Sequence, residues 1–198
     1  MKLAICVPVR DTVHSKFAYC LTELISYLVK TNVDYVLFFQ NGSVLPEQRQ
    51  ALVNSALNSN CSQILWLDSD MVFPKNLYHR LNEHNVNVVA CTYSTRTKPY
   101  RSVAFLNNDF HDRLTATMGT HSVSSVGLGL MLTQIDVYRV IQQPWFMFDY
   151  NSTYHSYLGE DIYFCQQLTT HGYKILVDVD TSKKCYHLST SELGITDI

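Results

Sequence analysis

Two aspartates one residue apart, Asp68 and Asp70, end the apolar run Gln63-Ile64-Leu65-Trp66-Leu67. The run has the length of a buried strand and is too short for an ordinary helix. Phe73-Pro74 then turns the chain, and proline suits the first turn of a following helix. In a parallel sheet both carboxylates would lie just past the strand's carboxyl end, where open α/β sheets bind their ligands. Two hard oxygens on one short turn suit a divalent cation that carries phosphate oxygens. Spacing alone does not single the pair out, because Asp178-Val179-Asp180 repeats it and about one such pattern is expected by chance in a chain with this many acids. The plain alternative for Asp68 and Asp70 is capping of the next helix. Gly159-Glu160-Asp161 places two more acids at the start of a helical stretch. There the helix dipole keeps a carboxylate ionised and able to take a proton, although acids at that position also stabilise a helix with no further role. His187 offers an imidazole after the last strand, and manganese accepts mixed nitrogen and oxygen ligands.

Positioning these groups falls to alternating strands and helices. Residues 3–7 form an apolar strand ended by Pro8, and Phe17, Leu21, Leu24 and Leu28 recur at helical spacing over 15–30. A second strand covers 33–39, a helix opens at Pro46-Glu47 and runs to about residue 58, and the third strand is 64–67. This β-α-β-α-β order is the mark of a parallel sheet. Val9-Arg10-Asp11-Thr12 after the first strand is not a glycine-rich loop, which argues against a dinucleotide site and against a nucleotidyltransferase phosphate loop. A short helix over 74–83 and a strand over 87–91 lead into the polar, basic and aromatic stretch 92–101. Residues 102–106 and 115–118 read as a hairpin, with Asn107-Asn108-Asp109 as turn residues. Gly127 and Gly129 interrupt an apolar strand over 126–132, which signals close approach by a ligand or another backbone. A helical piece over 135–141 precedes the aromatic cluster 144–150, whose Trp145, Phe146 and Tyr150 suit either sugar stacking or the core. A helix then runs from 159–161 to Gly172 with Ile162, Cys165 and Leu168 inward, followed by a strand over 174–177.

At 198 residues and 46% hydrophobic content the chain supports one core. It is expected to form a single domain over 1–188 with a tail, 189–198, that lacks periodicity and is expected to be mobile. A net charge of −2 argues against a general nucleic-acid binder. The six cysteines are scattered through apolar runs, where thiols act as small hydrophobes, so neither a disulfide scaffold nor a zinc site is expected. The apolar N-terminal segment is too short for a signal peptide or a membrane span. These features together point to the cytoplasm.

The strand ending in Leu67-Asp68-Ser69-Asp70, the glycine strand around Gly127 and Gly129, Gly159-Glu160-Asp161 and His187 stand in the order seen in GT-A glycosyltransferases. More closely, the chain resembles the small family 2-like glycosyltransferases of phages and large viruses, from Val7-Pro8-Val9-Arg10 to His187. The resemblance implies a single-domain GT-A fold, α/β, with a central mostly parallel mixed sheet flanked by helices. It implies a UDP-sugar donor (a GDP-sugar is the alternative), Mn2+ or Mg2+, and a glycan or other hydroxyl acceptor. Asp70 then corresponds to a direct metal ligand, Asp68 to a contact to ribose or to metal-bound water, and His187 to the C-terminal metal and diphosphate contact. Asp161 matches the base of inverting members, with Glu160 holding the acceptor or the base. Donor contacts fall to Pro8, Arg10, Asn41, Arg49, Asp68, Ser69, Gly127 and Gly129. Where family 2 enzymes commonly carry an acid at the second-strand exit, this chain has Gln40-Asn41. Arg10, Arg49, Arg96, Lys98 and Arg101 are candidates to neutralise phosphate, although each alone reads as a solvated surface charge. A retaining transferase and a non-catalytic sugar-nucleotide or glycan-binding module stay open as alternatives.

Overall fold

The first strand, β1 (Lys2–Val9), sorts its side chains by parity onto two faces. Leu3, Ile5 and Val7 join one apolar cluster and Ala4 and Cys6 the other. Helix α1 (Ser15–Lys30) covers the first face with Phe17, Leu21, Leu24 and Leu28, the periodic residues of the sequence. After β2 (Asp34–Asn41), helix α2 (Leu45–Asn58) covers the other face through Leu52, Val53 and Ala56. Strand β3 (Gln63–Leu67) repeats the alternation, with Ile64 and Trp66 on the α2 side and Leu65 and Leu67 on the α1 side. Helices on both faces of a fully buried strand explain why these runs are apolar throughout.

This computed structural model describes residues 1–96, 98–108, 110–152 and 155–188. The expected tail, 189–198, and the turn residue Asp109 lie outside the described residues. Beyond β3 come the short strand β4 (Met71–Val72), helix α3 (Leu77–Asn82), and β5 (Val88–Ala90). Next are β6 (Ala104–Phe105), β7 (Thr120–Val123), β8 (Ser125–Val126) and β9 (Leu130–Gln134). The remainder is α4 (Asp136–Val140), β10 (Asp149–Asn151), β11 (Ser156–Leu158), α5 (Glu160–Thr170), β12 (Ile175–Asp178), α6 (Val179–Ser182) and β13 (Tyr186–His187).

The main sheet has the order β2-β1-β3-β9-β5-β12-β7. Strands β1, β2 and β3 pair in parallel, as do β5 and β12, while β9 runs antiparallel to both β3 and β5 and β7 antiparallel to β12. Five of the strands thus share one direction, and reversed β9 sits between the two parallel blocks.

Several expectations change. Pro74 lies ahead of α3 instead of in its first turn. The hairpin expected between 102–106 and 115–118 does not form; β6 pairs with β8, and Arg113 makes only an isolated bridge to Phe105. The two glycines separate β8 from β9 and do not lie within one strand. Helix α5 buries Phe164 with Cys165 and Leu168, where Ile162 was expected, because Phe164 stacks on Tyr138 at 5.5 Å and meets Phe146 at 4.8 Å. All six cysteines are free and buried. Among the described residues no helix is long and apolar enough to cross a membrane.

Candidate active site

The two central aspartates sit on a turn tied down from three sides. The Asp68 amide donates to the Gly129 carbonyl at 3.0 Å, Met71 donates back to the Asp68 carbonyl at 3.1 Å, and His14 donates to the Ser69 carbonyl at 3.3 Å. The chain then enters β4, whose antiparallel partner is β13, with His187 opposite Met71. The Leu188 amide closes this pairing on the Asp70 carbonyl at 2.8 Å. A ladder of two residues thereby carries His187 from the far end of the sequence to Asp70, with Nε2 3.6 Å from Oδ2.

This turn forms the floor of a cleft of about 400 Å³ at the carboxyl ends of β1 and β3. Pro8, Val9 and Arg10 form one wall, Gly42, Ser43, Leu45 and Gln48 another, and Asp68, Ser69, Asp70 and Arg96 complete it. Gln48 fixes the walls to each other, since its amide nitrogen donates to the Val9 carbonyl at 2.7 Å and to the Gln40 carbonyl at 2.6 Å. Arg10 is solvent-exposed, beside Asp11 at 3.6 Å. Asn41 is exposed and does not line the cleft, whereas its neighbours Gly42 and Ser43 do.

Arg49 is no surface cation. Its side chain is only 1% exposed, and it joins two segments of the site: its terminal nitrogen donates to Asp68 Oδ1 at 2.9 Å and its Nε to Glu160 Oε1 at 3.1 Å. The guanidinium also lies 5.4 Å from the centre of the Trp66 ring. Burial alone would lower the Arg49 pKa, but the charges of Asp68 and Glu160 outweigh it and leave the pKa raised. The arginine is therefore a permanent charge under the floor.

Helix α5 begins at the other end of this bridge. Gly159 precedes it, and a Cβ there would lie 2.5 Å from Asp161 Oδ1, so glycine is what lets that carboxylate fold back over the helix start. The same oxygen accepts from the Ile162 amide at 2.8 Å. Burial, with the charge of Glu160 added, pushes the Asp161 carboxyl up to about 6, against the opposing effects of the Ile162 amide and Arg49. A carboxylate of that basicity is ionised at neutral pH yet takes a proton more readily than an ordinary aspartate.

Tyr93 is a central residue that sequence reasoning missed, although it lies in the aromatic and basic stretch noted there. Its hydroxyl accepts from the Gly129 amide at 3.0 Å, and its ring meets His187 edge-on at 5.2 Å. A Cβ on either Gly127 or Gly129 would lie 2.5 Å from that hydroxyl. The close approach signalled by the glycines is thus made by this side chain. Burial and the charges of Asp68 and Asp161 hold the phenol well above its ordinary pKa, so it is neutral. The aromatic cluster divides: Trp145 and Phe146 are core, with the indole donating to the Tyr138 and Ile141 carbonyls at 3.0 and 2.9 Å. Tyr150 is exposed on the β10–β11 hairpin, edge-on to Tyr157 at 5.3 Å. Asp178-Val179-Asp180 is structural. Asp178 Oδ1 caps α6 by accepting from the Thr181 amide at 2.9 Å, and Oδ2 pairs with His84 at 3.0 Å.

The chemistry of the Asp70–His187 pair fits a divalent cation. His187 Nδ1 lies 3.2 Å from the Ser94 carbonyl, so Nδ1 carries the proton and Nε2 presents a lone pair. That lone pair and Asp70 Oδ2 give one imidazole and one hard oxygen ligand, a set suited to manganese. A positive group already sits on both, because Arg96 donates to Asp70 and, through Nε at 2.9 Å, to His187 Nε2. Burial acts to raise the Asp70 carboxyl, and the opposing influences, the Arg96 charge among them, outweigh it and hold it below the ordinary range. Asp68 is turned to Arg49 instead. Among the described residues no three histidine, cysteine or acidic side chains gather closely enough to hold a metal by themselves.

The chain matches no protein-family model and no curated protein sequence. Solved structures do resemble it. A197 from STIV superposes with a TM-score of 0.58 at 19% identity, covering 98% of each chain. A mutant of Drosophila beta1,4-galactosyltransferase 7, in complex with manganese, UDP-Gal and xylobiose, gives a TM-score of 0.58 at 14% identity over 96% of this chain and 71% of that one. The nucleoside-diphosphate-sugar pyrophosphorylase of Vibrio cholerae RC9 gives 0.53 at 9% identity, over 92% and 93%. These likenesses establish the GT-A fold. Transferases and a pyrophosphorylase share it, so the activity has to be argued from the site.

Proposed function

We propose that this chain is a metal-dependent glycosyltransferase that moves a sugar from a nucleoside-diphosphate donor, UDP in the first instance, to an acceptor hydroxyl with inversion. The observation that carries this reading is the convergence of His187 on Asp70, which lies on the floor of a cleft at the carboxyl ends of β1 and β3. The cleft has walls that mix apolar and polar groups and a size that suits a nucleotide. Asp70 and His187 would hold the divalent ion, which supplies positive charge for the departing diphosphate. Pro8, Arg10, Gly42 and Ser43 embrace the nucleotide, and Asp68, aimed by Arg49, meets the ribose or a metal-bound water. Asp161 accepts the proton of the acceptor hydroxyl as its oxygen bonds to the anomeric carbon and the bond to the diphosphate oxygen breaks. Glu160, held by Arg49, keeps Asp161 basic through its own charge. Tyr150 and Tyr157 flank this helix start and offer exposed rings to an acceptor sugar.

The manganese and UDP-Gal bound by the Drosophila enzyme support the choice of cofactor and donor. Against the pyrophosphorylase activity found on the same fold, Val9-Arg10-Asp11-Thr12 is no glycine-rich phosphate loop. A panel of UDP- and GDP-sugars with Mn2+ tests the reading. At least one donor should be slowly hydrolysed without acceptor, and Asp70→Ala should abolish the turnover. Tight donor binding with no turnover across a broad acceptor panel would favour a binding module.

A further inference from the structure

We propose that Arg96 is a resident counter-cation of the metal position, so that metal loading is an exchange in which a divalent ion displaces this guanidinium. The inference rests on Asp70 and His187 being the metal ligands. Arg96 donates to Asp70 Oδ2 and to His187 Nε2, the two atoms whose lone pairs an ion would need. The histidine tautomer makes the competition direct. With Nδ1 directed at the Ser94 carbonyl, Nε2 is the acceptor that remains, and one lone pair cannot serve an N–H and a metal together.

The segment bearing Arg96 is built to present it. An isolated bridge joins Ser94 to Ser102, the Thr95 amide donates to the Arg101 carbonyl at 2.9 Å, and the Arg101 amide donates back to Thr95 Oγ1 at 3.2 Å. This closes the loop at its base and aims the arginine over the floor of the cleft. Departure is also feasible. The Arg96 side chain is 54% exposed and itself lines the cleft, so it exchanges one wet partner for another without stranding a buried charge. Asp70, by contrast, is half-buried and gains from having a cation at all times. The guanidinium keeps the acid compensated until metal arrives and lowers apparent metal affinity by the fraction of time it occupies the position.

The test is a Mn2+ titration of the full chain without nucleotide, with free ion read by electron paramagnetic resonance. Arg96→Ala should bind Mn2+ about tenfold more tightly than the parent, the gain expected if the arginine occupies the position about nine-tenths of the time. Arg101→Ala, which removes a neighbouring cation that does not touch Asp70, should leave the affinity within about twofold, as expected for a screened surface charge. In the Arg96→Ala protein, methylguanidinium should compete with Mn2+ where sodium chloride of the same ionic strength does not. Equal affinity in parent and Arg96→Ala, with Asp70→Asn abolishing both, would leave the metal site standing and overturn the exchange. Absence of Mn2+ binding from parent and Arg96→Ala alike would overturn the ligand assignment and the exchange with it.

Discussion

Replacing Arg49 by methionine should cost more stability than any single change on the cleft surface. The side chain is 1% exposed and compensates two carboxylates, Glu160 at 8% exposure and Asp68 at 28%. Removing one partner of a buried ion pair costs about 3–5 kcal/mol, because the charge left behind has neither water nor a counter-ion. Asp68 can recruit solvent and Glu160 cannot, so the expected loss is about 3 kcal/mol, at the lower end of that range. Equilibrium urea unfolding reads it as a fall in midpoint at unchanged slope. Adding Glu160→Gln to Arg49→Met should recover a large part of the loss, since the more buried of the two acids paired with Arg49 then carries no charge. Arg49→Lys should fall between the two, keeping the charge without the fork that spans both acids. A loss below about 1 kcal/mol, the worth of a surface ion pair, or no recovery in the double variant, would refute the bridge as the element joining Asp68 to α5.

Other substitutions separate architecture from chemistry. Gly129→Ala places a Cβ 2.5 Å from the Tyr93 hydroxyl and should cost about 1–3 kcal/mol by thermal or urea unfolding, with partial recovery on adding Tyr93→Phe. Asp161 has a carboxyl pushed up to about 6 in the folded state, above the unfolded value of about 4. The folded chain therefore binds the extra proton between those values, and the stability contributed by this group is present at low pH and lost as pH rises through about 6. Asp161→Asn should flatten that fall and stabilise the protein at pH 8 by up to about 3 kcal/mol, while transfer collapses and donor binding persists. In the parent, kcat/KM should rise with pH through about 6 and then level, because the base works ionised. Asp178→Ala removes a cap and should cost about 1–2 kcal/mol without altering Mn2+ affinity. Asp178 has a lowered pKa against the pull of burial, through His84 and Thr181, so its contribution is present above the ordinary carboxylate range and lost as pH falls through the folded value.

The strands and helices that carry Asp68 and Asp70 were legible in the sequence because their signals are local. Period-2 and period-3.6 burial in β1, α1 and β3 is written into consecutive residues. Strand direction is not, so β9 gave no sign of running against its neighbours. The β6–β8 pairing was hidden for a related reason, since its strands have two residues each and pair across a long connection. Cap chemistry told against Asp178-Val179-Asp180 only once the Thr181 amide was seen to use it. Arg49 read as a surface charge because a lone arginine in a polar helix usually is one, and nothing local reports that two acids wait beneath it. Tyr93 was visible as an aromatic residue and the glycines as a gap. That one fills the other follows from the packing of a loop onto the β8–β9 turn.

The measurement that bears most directly on the proposed activity is phosphorus NMR of a nucleotide-sugar panel incubated with the protein and Mn2+, with and without pyrophosphate. The glycosyltransferase reading predicts that a donor is converted to free nucleoside diphosphate, independently of pyrophosphate and not at all in Asp70→Ala. Conversion only when pyrophosphate is added, to nucleoside triphosphate and sugar phosphate, would contradict it and assign the site to nucleotidyl transfer.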